Sequence, residues 1–310
     1  SMRAQPQRME QFWRASSMRA ASDALRRVAR AAARAATEQK TAQGTAEQRD
    51  APAAAPLDSA LEHVRNGRKF VFSPMWDASA ERVAGHLCHQ RANVISYAVS
   101  NRTAQCEFDL ASLDAACNAA RELAGNQGVA LIRVPVHLET LAWSKQRDAY
   151  LQAASLLNRN LLGLIAFEIV GFLEGSSATQ VSQAVATLKR HAKRIFLRMP
   201  STNPDSAVAG VMGVAALGFV APGGTGDLRA SLAALNALAG RLRRLCARQG
   251  AIAYIDRIDS IDALEVARAA GIRLVTGDIL PPAVESPEAL HPLSFEDIAR
   301  SARGASVMLG

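Results

Sequence analysis

The stretch that most constrains what this chain can fold into is Ala251–Pro282, AIAYIDRIDSIDALEVARAAGIRLVTGDILPP. A β-branched run, Ile252–Ile258, leads through a polar turn into an Ala-rich helical pattern over Ile261–Ala270. Gly271 stands where a helix C-cap is expected, and a short strand, Ile272–Val275, ends at Gly277 and a double proline. Strand, helix, glycine and strand within about thirty residues make a βαβ unit, normally right-handed and parallel.

The chain upstream repeats that unit. Strands are expected at Lys69–Ser73 (ending at Pro74), Arg82–Cys88, Asn93–Val99, Val129–Val134, Leu161–Val170, Arg194–Met199 and Ala215–Val220. Helices are expected at Ser112–Leu123, Ser144–Leu157, Thr179–His191, Asp205–Met212, Asp227–Arg248 and Phe295–Arg303. Strands alternating with long helical patterns imply a parallel sheet covered by helices, and about eight of them imply closure into a (β/α)8 barrel. The first strands break the pattern and suggest an antiparallel opening.

Charge divides the chain. Of the net +8, residues 1–50 hold +5, from ten Arg/Lys against five Asp/Glu, leaving +3 for the other 260 residues. Residues 9–38 carry no Gly or Pro and read as one basic helix, with Met9, Phe12 and Trp13 as its apolar knob. A solvated helix, a self-association or partner-docking helix, and a membrane-surface or nucleic-acid contact all fit that pattern. Residues 39–57 are polar, then Ala/Pro-rich, and read as a linker. The expected organisation is a basic N-terminal helix (1–38), the linker (39–57), a barrel (58–282) and a C-terminal tail with a short helix (283–310). With the charge concentrated in the tail, the body is not expected to bind nucleic acid.

Four cysteines without a CxxC spacing read as reduced thiols. The longest uncharged runs, Leu161–Phe167 and Ala207–Pro222, fall short of a bilayer span, and no signal-peptide core stands near the start. A cytoplasmic location and no transmembrane segment are expected.

Several segments in order carry a resemblance to the EAL domain, the barrel family that includes cyclic-di-GMP phosphodiesterases. Phe72-Ser-Pro-Met-Trp-Asp77 resembles the first-strand segment and Val83-Ala-Gly-His86 the run before the naming motif. Leu164–Ile169 resembles the strand with a metal-ligand Glu, at Glu168; Ala251–Ile258 and Gly271–Pro282 resemble the last two motifs. The resemblance implies an EAL-type barrel with one antiparallel strand and, in an active member, two hard divalent cations held by carboxylates and an Asn. Here Leu87-Cys88-His89 stands for the naming E-A-L, Ile132–Pro135 offers no Asn, and Arg198-Met199 falls where an Asp pair is expected. The distal motif reads Ala253-Tyr-Ile-Asp-Arg257; a register slip would bring in Asp205, Asp256 or Asp259 without restoring the set.

No catalytic residue, cofactor or divalent metal is therefore expected, and Glu168 reads as paired with an Arg such as Arg133 or Arg198. Candidate ligand-binding residues are Arg91, at the place of the motif's phosphate-contacting Arg, with Glu168, Arg198 and the Gly223-Gly224-Thr-Gly226 turn. His86 and Cys88 share a strand face and His89 takes the other, which argues against one ion held by all three. The sequence reading is an inactive EAL-like scaffold with a protein partner in bacterial signalling, and a homodimer by resemblance. The alternatives are a non-hydrolysing cyclic-di-GMP receptor, an active phosphodiesterase, and an unrelated barrel enzyme.

Overall fold

The computed structural model describes residues 70–90, 102–126, 128–157, 161–172, 177–200, 211–222 and 227–308. The expected strand Asn93–Val99, most of the expected helix Asp205–Met212 and the whole N-terminal region lie outside the described residues.

Eight strands close into a barrel: β1 (Phe70–Asp77), β2 (Arg82–Gln90), β3 (Leu131–His137), β4 (Ile165–Val170), β5 (Arg194–Arg198), β6 (Ala216–Val220), β7 (Ile252–Asp256) and β8 (Leu274–Val275). Strands β2 to β8 run parallel in chain order, whereas β1 is antiparallel to both its neighbours, β2 and β8. A two-residue β9 (His291–Pro292) adds outside β2. The antiparallel opening expected from the irregular first strands is therefore present. Because β1 is reversed, its first residue, Phe70, pairs with Gln90 at the C-terminal end of β2. The chain enters the barrel at its mouth.

The strand expected to end at Pro74 instead runs through it to Asp77. Pro74 lies opposite His86, and β1 meets β8 only at Trp76 and Asp77, so at the proline the ladder is paired on one side alone. A residue without an N–H is tolerated there.

Helices cover the outside: α1 (Arg102–Gly125), α2 (Leu138–Ala142), α3 (Ser144–Ser155), α4 (Ala178–Leu188), α5 (Leu228–Gln249), α6 (Ile261–Ala269) and α7 (Phe295–Met308). α1 begins ten residues before its expected start at Ser112, burying Cys106, Asp109, Leu113, Ala116, Cys117, Ala120 and Leu123 at three- and four-residue steps. A 3₁₀ turn, Leu161–Gly163, replaces the first part of the expected strand Leu161–Val170. α5 is N-capped by Asp227, whose carboxylate accepts from Ala230 N, and ends at Gly250 with φ of 65°.

The core has two compartments. Outer strand faces pack on the helices, while Met75, Ala166, Phe196, Ala216, Tyr254 and Leu274 fill the barrel interior. The C-terminal segment is laced onto the barrel: Phe72 and Val284 exchange backbone bonds, Trp76 Nε1 donates to Leu293 O at 2.8 Å, and Ile298 is buried.

Candidate functional site in the barrel mouth

Strand register decides which side chains meet. Leu87 pairs with Arg133, Arg133 with Ala166, Pro135 with Glu168, Glu168 with Phe196, and Arg198 with Gly218; Gly218 in turn pairs with Tyr254. Paired residues share a face, and this face is the lumen. Alternation then brings Arg133 of β3, Glu168 of β4, Arg198 of β5, and Tyr254 and Asp256 of β7 together just below the mouth.

Arg133 and Glu168 are wholly buried and Asp256 is nearly so. Arg133 donates through Nη2 to Asp256 Oδ1, and its Nε lies 3.6 Å from Glu168 Oε2. Its guanidinium carbon sits 4.6 Å from the Tyr254 ring centroid, a cation–π placement. Arg198 grips Glu168 with a fork, Nε to Oε1 at 3.1 Å and Nη2 to Oε2 at 2.8 Å, and Nη2 also lies 3.2 Å from Asp256 Oδ2. Tyr254 Oη donates to Glu168 Oε1 at 2.6 Å, and Thr276 Oγ1 donates to Asp256 Oδ1 at 2.7 Å.

Two guanidiniums thus face two carboxylates, and the formal charge closes to zero. Burying four such ions is tolerable only with this degree of pairing. Burial pushes the Asp256 carboxyl up, but Arg133 and Arg198 outweigh it and hold the group below the usual aspartate range. Burial lowers and the two carboxylates raise the Arg198 and Arg133 guanidiniums, with the carboxylates winning. Both stay charged. Arg133 Nη1 has no hydrogen-bond partner, and Arg198, 26% exposed, is the charge that reaches the opening.

Beside this cluster, His89 Nε2 lies 2.6 Å from Ser73 Oγ. Burial, with help from the nearby arginines, pushes its imidazole below the ordinary value. His86 turns to the other face, where Nε2 lies 2.9 Å from Glu288 O, so β2 separates the two histidines as the alternation requires. Among the described residues no group of three or more His, Cys, Asp or Glu is placed to hold a metal ion.

A second polar cluster ties α1 to the end of β3. Buried Asp109 accepts from His137 N at 2.9 Å and Thr140 Oγ1 at 2.6 Å, and its Oδ1 lies 2.8 Å from His137 Nδ1. It thereby fixes the N-cap residue of α2, His137, and the Thr140 side chain in the helix's first turn.

Of the residues singled out from sequence, Glu168 and Arg198 meet directly, and the expected pairing of Glu168 with Arg133 and Arg198 is observed with both. Arg91, Gly223, Gly224 and Gly226 lie outside the described residues, as do Met9, Phe12 and Trp13. Sequence reading did not single out Tyr254 or Ser73, met Thr276 only as the residue in place of a motif Gln, and reached Asp256 only through a register slip. A usable signal existed: Arg133, Glu168, Tyr254 and Asp256 each interrupt an apolar strand on one period-two face. Asp109 offered no such signal, being one polar residue in a long helix.

No protein-family model matches the chain, and no curated protein matches it. Solved structures do. The Bacillus subtilis YkuI protein, with an EAL domain, in complex with cyclic-di-GMP and calcium, superposes with a TM-score of 0.59 at 15% identity, over 82% of this chain and 64% of that one. An EAL domain protein from Listeria monocytogenes EGD-e gives 0.55 at 13% identity, over 81% and 99%. A standalone EAL protein from Vibrio cholerae O395, bound to cyclic-di-GMP, gives 0.53 at 14% identity, over 74% and 98%. The chain is an α/β barrel with the EAL fold, closed by eight strands of which the first is reversed.

Proposed function

We propose that this chain is an EAL-type module of cyclic-di-GMP signalling that does not hydrolyse the dinucleotide and acts as a protein-interaction scaffold or regulator. The observation that carries the reading is the closed charge set of Arg133, Arg198, Glu168 and Asp256. Two hard divalent cations need several carboxylate oxygens free to face them. Here Glu168 is held by an arginine fork and a tyrosine, and Asp256 by two arginines and a threonine. A cation placed among them meets two fixed guanidiniums at close range. The residues present do not fit a two-metal centre. The partner is a protein of bacterial signalling, met through the outer helices or the basic N-terminal helix, in the cytoplasm and in a homodimer. No described helix is long and apolar enough to cross a membrane.

A second reading, a receptor that binds cyclic-di-GMP without cleaving it, draws on two features. Arg198 is part-exposed at the mouth, and Arg133 carries an unpartnered Nη1. Isothermal titration of the full chain with cyclic-di-GMP, with and without Mg²⁺, separates the readings. A flat trace is expected of the scaffold. Metal-independent binding weakened by Arg198→Glu makes it a receptor. Metal-dependent hydrolysis lost in Glu168→Gln overturns both.

A further inference from the structure

We propose that Ser73 and His89 form a nucleophile–base pair in the barrel mouth, able to cleave a small carboxylic ester that carries an anionic group. The inference goes beyond the signalling reading and does not depend on it.

Register builds the pair. Met75 of β1 fills the barrel interior, so Ser73, two residues earlier, stands on the same lumen-facing side. Ser73 pairs with Leu87 and Val71 with His89, which makes Ser73 and His89 diagonal neighbours across an antiparallel ladder. A long side chain reaches that far. Both residues are half-buried near the mouth, where β1 enters and where His89 is the penultimate residue of β2.

Hydrogen bonding sets the direction of the proton. His89 Nδ1 lies 3.0 Å from Gln90 O, and a carbonyl can only accept, so Nδ1 carries the ring proton. Nε2 then offers a lone pair, and Ser73 Oγ donates to it at 2.6 Å. Burial chiefly, helped by Arg198 and Arg133 and opposed by Gln90 O and Asp256, holds the imidazole below its ordinary value. At neutral pH it is a neutral base. A hydroxyl in hydrogen-bond reach of a base whose other nitrogen is fixed by a third group is the geometry that activates a serine.

Charge selects the substrate. Pro74 offers no N–H beside the nucleophile, so the developing oxyanion is met by a side chain. The Glu168 and Asp256 side chains are 0% and 4% exposed, whereas that of Arg198 is 26% exposed. What the neighbouring cluster shows to the mouth is therefore positive. In the reaction Ser73 Oγ bonds to the ester carbonyl carbon and its proton passes to His89 Nε2. The C–O bond to the alcohol breaks, and the alcohol leaves with that proton, giving an acyl-serine. Water then bonds to the acyl carbon and gives one proton to Nε2. The bond from that carbon to Ser73 Oγ breaks, the acid departs, and Ser73 recovers its proton from Nε2.

The test treats the full chain with a fluorophosphonate probe, which phosphonylates activated serines, and locates the adduct by peptide mass spectrometry. Ser73 is expected to carry the adduct, and His89→Gln to slow its formation at least about 100-fold. A parent left unlabelled at Ser73, or a variant labelled as fast as the parent, overturns the pair. Ser73→Cys gives a second readout, because all four native cysteines are buried. Its thiol should react with iodoacetamide at neutral pH and slow about tenfold when His89→Gln is added. Equal rates also overturn the pair. Mono-p-nitrophenyl succinate should be hydrolysed about tenfold faster than p-nitrophenyl acetate, a preference lost in Arg198→Gln. A neutral ester cleaved equally well overturns the anionic class, and labelling of Ser73 without turnover of either ester overturns the hydrolysis.

Discussion

Arg133 is a wholly buried guanidinium, and everything near it answers that fact. Asp256 and Glu168 supply charge, Tyr254 supplies a ring face, and Arg198 balances the acids from the solvent side. Asp256→Ala should therefore destabilise the fold by about 3–5 kcal/mol, read from denaturant unfolding, because it leaves Arg133 buried and underpaired. Thr276→Val removes one hydrogen bond to the same carboxylate and should cost only about 1 kcal/mol. Acidification tests the same residues. Asp256 titrates lower folded than unfolded, so its contribution is complete above the ordinary aspartate value and is lost as pH falls through its folded one. His86 and His89 are also depressed, chiefly by burial, so their neutral folded forms lose ground once the unfolded chain takes protons. The urea midpoint should hold between pH 8 and 7, decline below about 6.5, and drop again below about 4. A midpoint unchanged down to pH 5 contradicts the histidine part. Glu168 and its arginine partners were legible at this scale, because a charge inside an apolar strand must find its opposite.

Element by element, local chemistry and the fold agree where caps and periodicity speak. Asp227 and Ser260 cap the helices they precede, and Gly271, with φ of 79°, follows α6 as its C-cap position requires. Gly218 is a different kind of glycine. A Cβ there would strike Tyr254 O and sit 2.5 Å from two carbons of the Tyr254 ring, which is held by Glu168. Gly218→Ala should cost about 1–3 kcal/mol and disturb the charge cluster, since a wedged ring cannot keep its bond. Gly250→Ala meets open space and should cost only the left-handed backbone penalty of about 1–2 kcal/mol. Thermal unfolding of the two variants, with Arg198→Lys as a reference for the cluster, distinguishes them. Pro74 taken alone reads as a strand terminator, and only its one-sided pairing explains why β1 continues.

For the molecule as a whole, one closed barrel predicts one cooperative shield. Cys88, Cys106, Cys117 and Cys246 are all buried thiols, and burial pushes each up to about 12. None should react with a thiol reagent at neutral pH until unfolding, when all four should react together; early reaction of one would mark a locally opening element. The sequence alone determined the alternation of strands and helices and the parallel barrel with its irregular opening. Those follow from periodicity, caps and residue type, which act over a turn or a strand. Only the tertiary structure decided that Arg133, Glu168, Arg198, Tyr254 and Asp256, from four strands, form one neutral cluster. Strand register and barrel closure make that choice: neighbouring strands pair residues some tens of positions apart, and β1 meets β8 across 199 (Trp76 with Val275), which no local pattern records.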